Sequence, residues 1–418
     1  MAEGRWQEAW HDTESLLPPA ICHLPSAIGM GGRARPFRKR MTLARPSRVL
    51  AILLLTAGCA QASPLGPGMR AVEEIRGRKF TSDVKNVHID RADLSTHLRD
   101  QMQKSIPYSL DDWGTLLRSL QLVDIKTSEI IPRMLALYES QVLAFYDPHS
   151  HTYYSINQMP NLPEAAKLAD PKVLEETVMV HELTHALQDQ HFKLGPRENA
   201  LMKDTDAMMA YHSVLEGEAV LVMVAHMLKK AGVDLDEALK DESLLGMVTN
   251  AANAEQMIDP STPRYFAEML KFPYLDGLKF VVTAYKRGGW KALDDVHANP
   301  PRSTREILHP EEYFAKTAKH EAFDGTKPPA RGTSDIIAVE HLGEFHWRYL
   351  VGADAARGWI NDRAAVWRDG KVEVRTKWES ADRATAFATA YGAFLKKRGV
   401  EAKIARDGVN VLTTYTAK

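Results

Sequence analysis

The sequence predicts an α+β, helix-rich fold, and three patterns predict it. Apolar residues recur at helical spacing from Met69 to about Tyr138. Two long stretches without breakers follow, Pro171 to about His191 and Asn199 to about Lys230. Short β-rich runs flanked by turn residues stand at 141–156 and again around 369–370 and 407–408. Helical and two-residue periods in separate blocks belong to helices packed beside antiparallel sheets.

The first 58 residues read as a leader. Residues 1–40 lack a regular period and carry Pro18-Pro19, Gly31-Gly32 and a basic cluster from Arg33 to Arg40, as an upstream mis-start would. From Met41, Arg45 and Arg48 precede the nine-residue apolar run Val49–Ala57. That is a signal-peptide pattern, far short of the ~20 residues of a spanning helix. The run closes on Leu55-Thr56-Ala57-Gly58-Cys59, which resembles a bacterial lipobox. This implies a membrane partner through a lipid anchor at Cys59 and a cell-envelope location. Cleavage after Ala60-Gln61-Ala62 is the competing reading and gives a secreted protein.

Beyond the leader, 59–68 is expected to be a flexible tether. Over 69–139, Leu94-Leu98-Met102, Leu116-Leu117-Leu120 and Ile130-Met134-Leu137 define a helical N-terminal portion, with Asp111-Asp112 and Ser128 as caps. Two strands, Gln141–Tyr146 and Thr152–Ile156, flank the turn residues Asp147–His151. Gly195-Pro196 is expected to separate the two long helices. A catalytic domain is placed at 140–322. The Pro/Gly-rich stretch Asp324–Gly332 then marks a boundary, and 334–418 reads as a small C-terminal α+β module of helix, two strands, helix and two strands.

Composition narrows the function. With 53 basic and 54 acidic residues the chain presents no basic field, so nucleic acid is not an expected partner. Two cysteines, Cys22 and Cys59, exclude both a disulfide framework and a Cys-rich zinc module.

The chemistry concentrates at 181–216. His181-Glu182-Leu183-Thr184-His185 is an HExxH sequence. Four residues apart on a helix, the two imidazoles share a face and can hold one Zn²⁺ ion, while Glu182 can act as general base toward a water that zinc activates. Leu174, Val178, Leu183, Ala186 and Leu187 supply the apolar stripe such a helix needs. The third ligand is a choice among three residues. His191 stands where some metalloproteases carry a third histidine, but those turn the chain at a glycine and here the position is Gln188. Glu216 and Glu218 lie in the apolar segment Val214–Val222, where a carboxylate requires a strong partner. Glu216 is favoured, and Gly217 beside it permits close helix approach. Candidate oxyanion donors are His309, Tyr274 and Tyr211, with His309 preferred as a catalytic residue. His212 is a candidate partner of a ligand, and Asp204 and Asp206 read as solvated charges. The hairpin 141–156 offers a sheet edge to which a peptide can add.

His181 to Phe192 with the later Leu215-Glu216-Gly217-Glu218-Ala219 resembles gluzincin-type zinc metallopeptidases, most closely envelope-anchored bacterial and archaeal surface proteins. The likeness extends to Phe272-Pro273-Tyr274 and to Pro300–Thr304 with His309-Pro310. It implies a zincin-like (gluzincin) core, zinc on His181, His185 and Glu216, catalysis by Glu182, and a peptide or protein substrate. It departs from the aminopeptidase branch in lacking a GAMEN-like segment before the motif, which argues for endopeptidase action. The alternative is a non-enzymatic surface protein, a pseudoprotease or binding module, in which the metal only braces two helices. A site closed by four protein ligands favours that alternative, and a site with an open position favours the enzyme.

Overall fold

The computed structural model describes residues 64–157, 171–241, 262–322 and 335–417. The leader, Cys22, Cys59 and the Pro/Gly-rich boundary at 324–332 lie outside the described residues.

The chain enters on helix α1 (Gly66–Arg76), with Pro67 in its first turn, where a missing N–H costs nothing. Leu65 and Gly68 are buried, so 65–68 is packed structure rather than the expected tether. Strand β1 (Lys85–Ile89) follows and was not foreseen in the helical portion. Its residues are exposed or half-buried and give no apolar alternation to read. Three helices come next: α2 (Arg91–Ser105), α3 (Leu110–Ser119), capped by Ser109, and α4 (Thr127–Gln141). The expected hairpin forms as β2 (Ala144–Asp147) and β3 (Thr152–Ile156). The three strands are ordered β1-β3-β2, with β3 parallel to β1 and antiparallel to β2. Of the two candidate edges, β3 is therefore central and β2 is the edge.

Helix α5 (Pro171–Phe192) carries the HExxH sequence. The chain turns at Lys193, in the left-handed region, so Gly195-Pro196 sits in the first turn of α6 (Leu194–Leu201) instead of separating helices. Asp204 caps α7 (Thr205–Lys230) by accepting from Ala207 N–H. A short α8 (Leu235–Ala238) precedes α9 (Arg264–Ala298), which kinks at Gly288-Gly289. α7 and α9 cross at Gly217 and Gly277. A Cβ on Gly277 would fall on the Ser213 carbonyl, and one on Gly217 on the Gly277 backbone. The close approach that Gly217 permits is thus made to α9. α7 is the one described helix long and apolar enough to cross a membrane. It is mostly buried and carries Glu216 and Glu218 inward, which suits a core helix.

After α10 (Thr304–Leu308) and α11 (Pro310–Ala315), a second sheet is built from β4 (Ile336–Glu340), β5 (Trp359–Trp367), β6 (Lys371–Trp378), β7 (Ala402–Asp407) and β8 (Asn410–Thr416). Its order is β4-β5-β6-β8-β7, antiparallel throughout. Helices α12 (Gly343–Val351), α13 (Ala353–Ala356) and α14 (Ala381–Lys397) complete it, and β4 is an addition to the expected pattern. The N-terminal helices and this sheet are not separate bodies. Leu98, Leu117 and Met134 share one core with Trp347, Val374 and Tyr415, and Tyr415 donates its hydroxyl to the Ser119 carbonyl at 3.1 Å.

Asp206 corrects the expectation of a solvated charge. It is fully buried at the start of α7 and accepts from both the backbone and hydroxyl of Thr304. Burial pushes its carboxyl up to about 7, only partly opposed by His341 and Thr304. Asp204 is partly exposed and pairs with His341 at 2.7 Å.

Candidate metal centre

The site begins with the helical period. His181 and His185 project from one face of α5, and Glu216 meets them from the middle of α7. His181 Nε2 lies 3.1 Å from His185 Nε2 and 3.1 Å from Glu216 Oε2, and His185 Nε2 lies 3.6 Å from the same oxygen. All three side chains are buried. A tetrahedral zinc ion with ligand bonds of ~2.0–2.1 Å needs ligand atoms about 3.3 Å apart, and the three separations bracket that value. The donor set, two imidazole nitrogens and one carboxylate oxygen, is one that zinc takes. The residues fit the group. Among the described residues no fourth His, Cys, Asp or Glu joins the trio.

Electrostatics distinguish the three donors. Burial pulls the His181 imidazole below its usual range, as suits a neutral ligand. At His185 burial acts the same way, but the Glu216 carboxylate outweighs it and the net direction is up. Glu182 is fully buried, and burial pushes its carboxyl up to about 8 against the opposing charge of His185. Its Oε2 accepts the backbone N–H of Tyr146 at 2.8 Å. Tyr146 is tied a second time to α5 by its hydroxyl, which donates to Asp189 Oδ2 at 2.8 Å. The edge strand β2 is thereby fastened along the helix that carries the histidines.

The other sequence candidates separate from the trio. His191 Nε2 lies 2.9 Å from the Lys79 carbonyl, so it ends α5 facing another segment. Glu218 points away from the trio and is held by Arg76, His297 and Gln188. His309 is not brought to the site: its Nε2 contacts buried Glu344 at 2.8 Å, and its Nδ1 lies 3.8 Å from Glu311. Glu344 belongs to α12, not to α5 or α7. Tyr211 packs with Leu194 and Leu215. His212 pairs with Glu198 at 3.2 Å rather than with a ligand. Tyr274 is the one oxyanion candidate beside the site, its ring 6.1 Å from that of His181.

A cavity of about 180 Å³ opens on Glu216. Met208, Met209, Met269 and Pro273 line it with His212 and Tyr274, and it runs inward toward the N-terminal helices at Met102. Sequence reading missed this cavity, the Tyr146 N–H and the partners of Glu218. Only Gln188, one turn beyond His185, left a local trace.

An α+β, helix-rich protein with a buried His-His-Glu trio is the class that fold and site define. Residues 313–417, roughly a quarter of the chain, match a family described as a domain of unknown function (DUF8575). The match starts in α11, before the expected boundary, and does not reach the trio. No curated protein and no solved structure matches the chain.

Proposed function

We propose that the protein is an envelope-anchored zinc metallopeptidase, with a zincin-like core formed by α5, α7 and the β1–β3 sheet and with His181, His185 and Glu216 as ligands. The observation that carries the proposal is the convergence of these three donors at tetrahedral spacing beside the buried carboxylate of Glu182. Zinc bound there supplies a Lewis acid for a peptide carbonyl and lowers the pKa of a water. Glu182 takes the water's proton on its carboxylate and returns it to the leaving amine. Tyr146 N–H orients that carboxylate. β2 ends the sheet order beside α5, where an extended peptide could align, and the methionine-lined cavity suits a large apolar side chain near the scissile bond. Three ligands rather than four among the described residues support an open position and an enzyme over a structural metal. Anchoring rests on the lipobox-like run ending at Cys59.

The test is cleavage of a peptide library by zinc-loaded protein and by Glu182→Gln. Cleavage at bonds flanked by large apolar residues, lost in the variant, is the expected result. A zinc-loaded protein that cleaves nothing, or a variant as active as the parent, overturns the proposal.

A further inference from the structure

We infer that Gln188, Glu218 and Arg76 are positioning residues that hold His185 as its Nδ1–H tautomer and aim its Nε2 at the centre of the trio; the inference rests on the metal reading above.

Gln188 lies three residues after His185 on α5, the spacing that brings two side chains together on one helix face. Its Oε1 is 2.8 Å from His185 Nδ1. Its amide nitrogen donates to the Leu215 carbonyl at 3.1 Å and to Glu218 Oε2 at 2.7 Å. A backbone carbonyl only accepts, so Leu215 fixes which end of the amide faces it. The oxygen is left facing His185, and Nδ1 must supply the proton. The lone pair then resides on Nε2, the atom 3.1 Å from His181 Nε2.

The Leu215 carbonyl fixes the amide on its own, and Glu218 is held beside it by Arg76 and His297. Arg76 bonds Glu218 through Nε, reaches Asp294 at 2.9 Å and lies 5.0 Å over the Trp290 ring. A buried ion pair is tolerated when its groups are multiply bonded in this way. The cation comes from α1, whose Gly68 rests on α5 so closely that a Cβ would lie 2.7 Å from Leu183. The chain that follows the leader therefore reaches the metal centre through three side chains. In most metal sites a carboxylate or carbonyl orients the histidine directly. Here an amide passes the orientation on to a carboxylate one step away. A mere brace of α1 and α7 would need Arg76 and Glu218 but not an amide oxygen on the ligand's Nδ1.

The test uses the full chain labelled with ¹⁵N-histidine. Long-range ¹H–¹⁵N correlations on zinc-free protein at pH 9 read the tautomer of His185. Zinc affinity is measured by competition with a chromophoric chelator for the parent, Gln188→Met, Glu218→Gln and the double swap Gln188→Glu with Glu218→Gln. The parent is expected to show Nδ1–H. Each single variant should lose about 10–100-fold in zinc affinity, the cost typical of a lost orienting partner. The double swap should recover part of that loss, because a carboxylate at 188 accepts from Nδ1 and an amide at 218 can donate to it, while the Leu215 carbonyl loses its donor. An Nε2–H tautomer in the parent, or single variants that bind zinc as the parent does, overturns the relay. If the parent binds no zinc, the metal reading falls, while the tautomer still decides the relay.

Discussion

The backbone N–H of Tyr146 donates to the Glu182 carboxylate at 2.8 Å, so the edge of one sheet holds the side chain placed as general base. Gln at position 182 keeps an oxygen for that N–H and leaves both histidines untouched. Glu182→Gln is therefore expected to retain one zinc per chain and the parent's unfolding curve, and to lose peptide hydrolysis by at least about 100-fold. Metal analysis alongside peptide turnover checks this.

The ligand assignment separates Glu216 from its rivals. Glu216→Ala should weaken zinc binding by more than 100-fold, beyond the about 10–100-fold of an orienting partner. His191→Ala should change it by less than about 2-fold, because His191 Nε2 is engaged at the Lys79 carbonyl. Competition titrations on both variants are the check.

The crossing of α7 and α9 has no room for a methyl group. Gly277→Ala should destabilise the fold by about 2 kcal/mol or more, since the obstacle is Ser213 backbone and not a side chain that can swing away. Gly288→Ala, whose nearest neighbour would be the Ala292 methyl at 3.4 Å, is the matched control. Urea unfolding distinguishes the two.

His341 predicts a slope of stability with pH. Burial pulls its pKa down, but the bond to Asp204 and the charges of Asp362 and Asp206 push it up to about 9. A histidine with a raised folded pKa binds its proton more tightly in the fold. Its contribution is full below about 6.5 and is lost as pH rises through about 9. The total is of order 3 kcal/mol. His341→Gln should flatten that fall relative to the parent when both are unfolded in chelator between pH 6 and 10.

Cys59→Ser should abolish palmitate labelling and move the protein from the membrane fraction to the soluble one. A parent that is unlabelled and soluble would remove the anchor from the account.

Much of the site was legible because it is local. The i, i+4 histidines, their apolar stripe and the apolar run around Glu216 are written within 42 consecutive positions, 181 to 222. The two hairpins of the second sheet were marked by Asp369-Gly370 and Asp407-Gly408. What escaped depends on partners far along the chain. Glu218 finds Arg76 142 residues away and His297 79 residues away, and no spacing rule connects them. Asp206 looked solvated because its partner Thr304 is equally remote. β1 escaped for a different reason: it is a five-residue strand without a fully buried side chain, defined only by pairing with β3.

The most direct test of the central claim is anomalous scattering at the zinc edge from crystals of the purified protein. The account predicts one zinc peak bonded to His181 Nε2, His185 Nε2 and a Glu216 oxygen at about 2.0–2.2 Å, with no fourth protein ligand. No peak at the trio, or a zinc held instead at His309, Glu311 and Glu312, would contradict it.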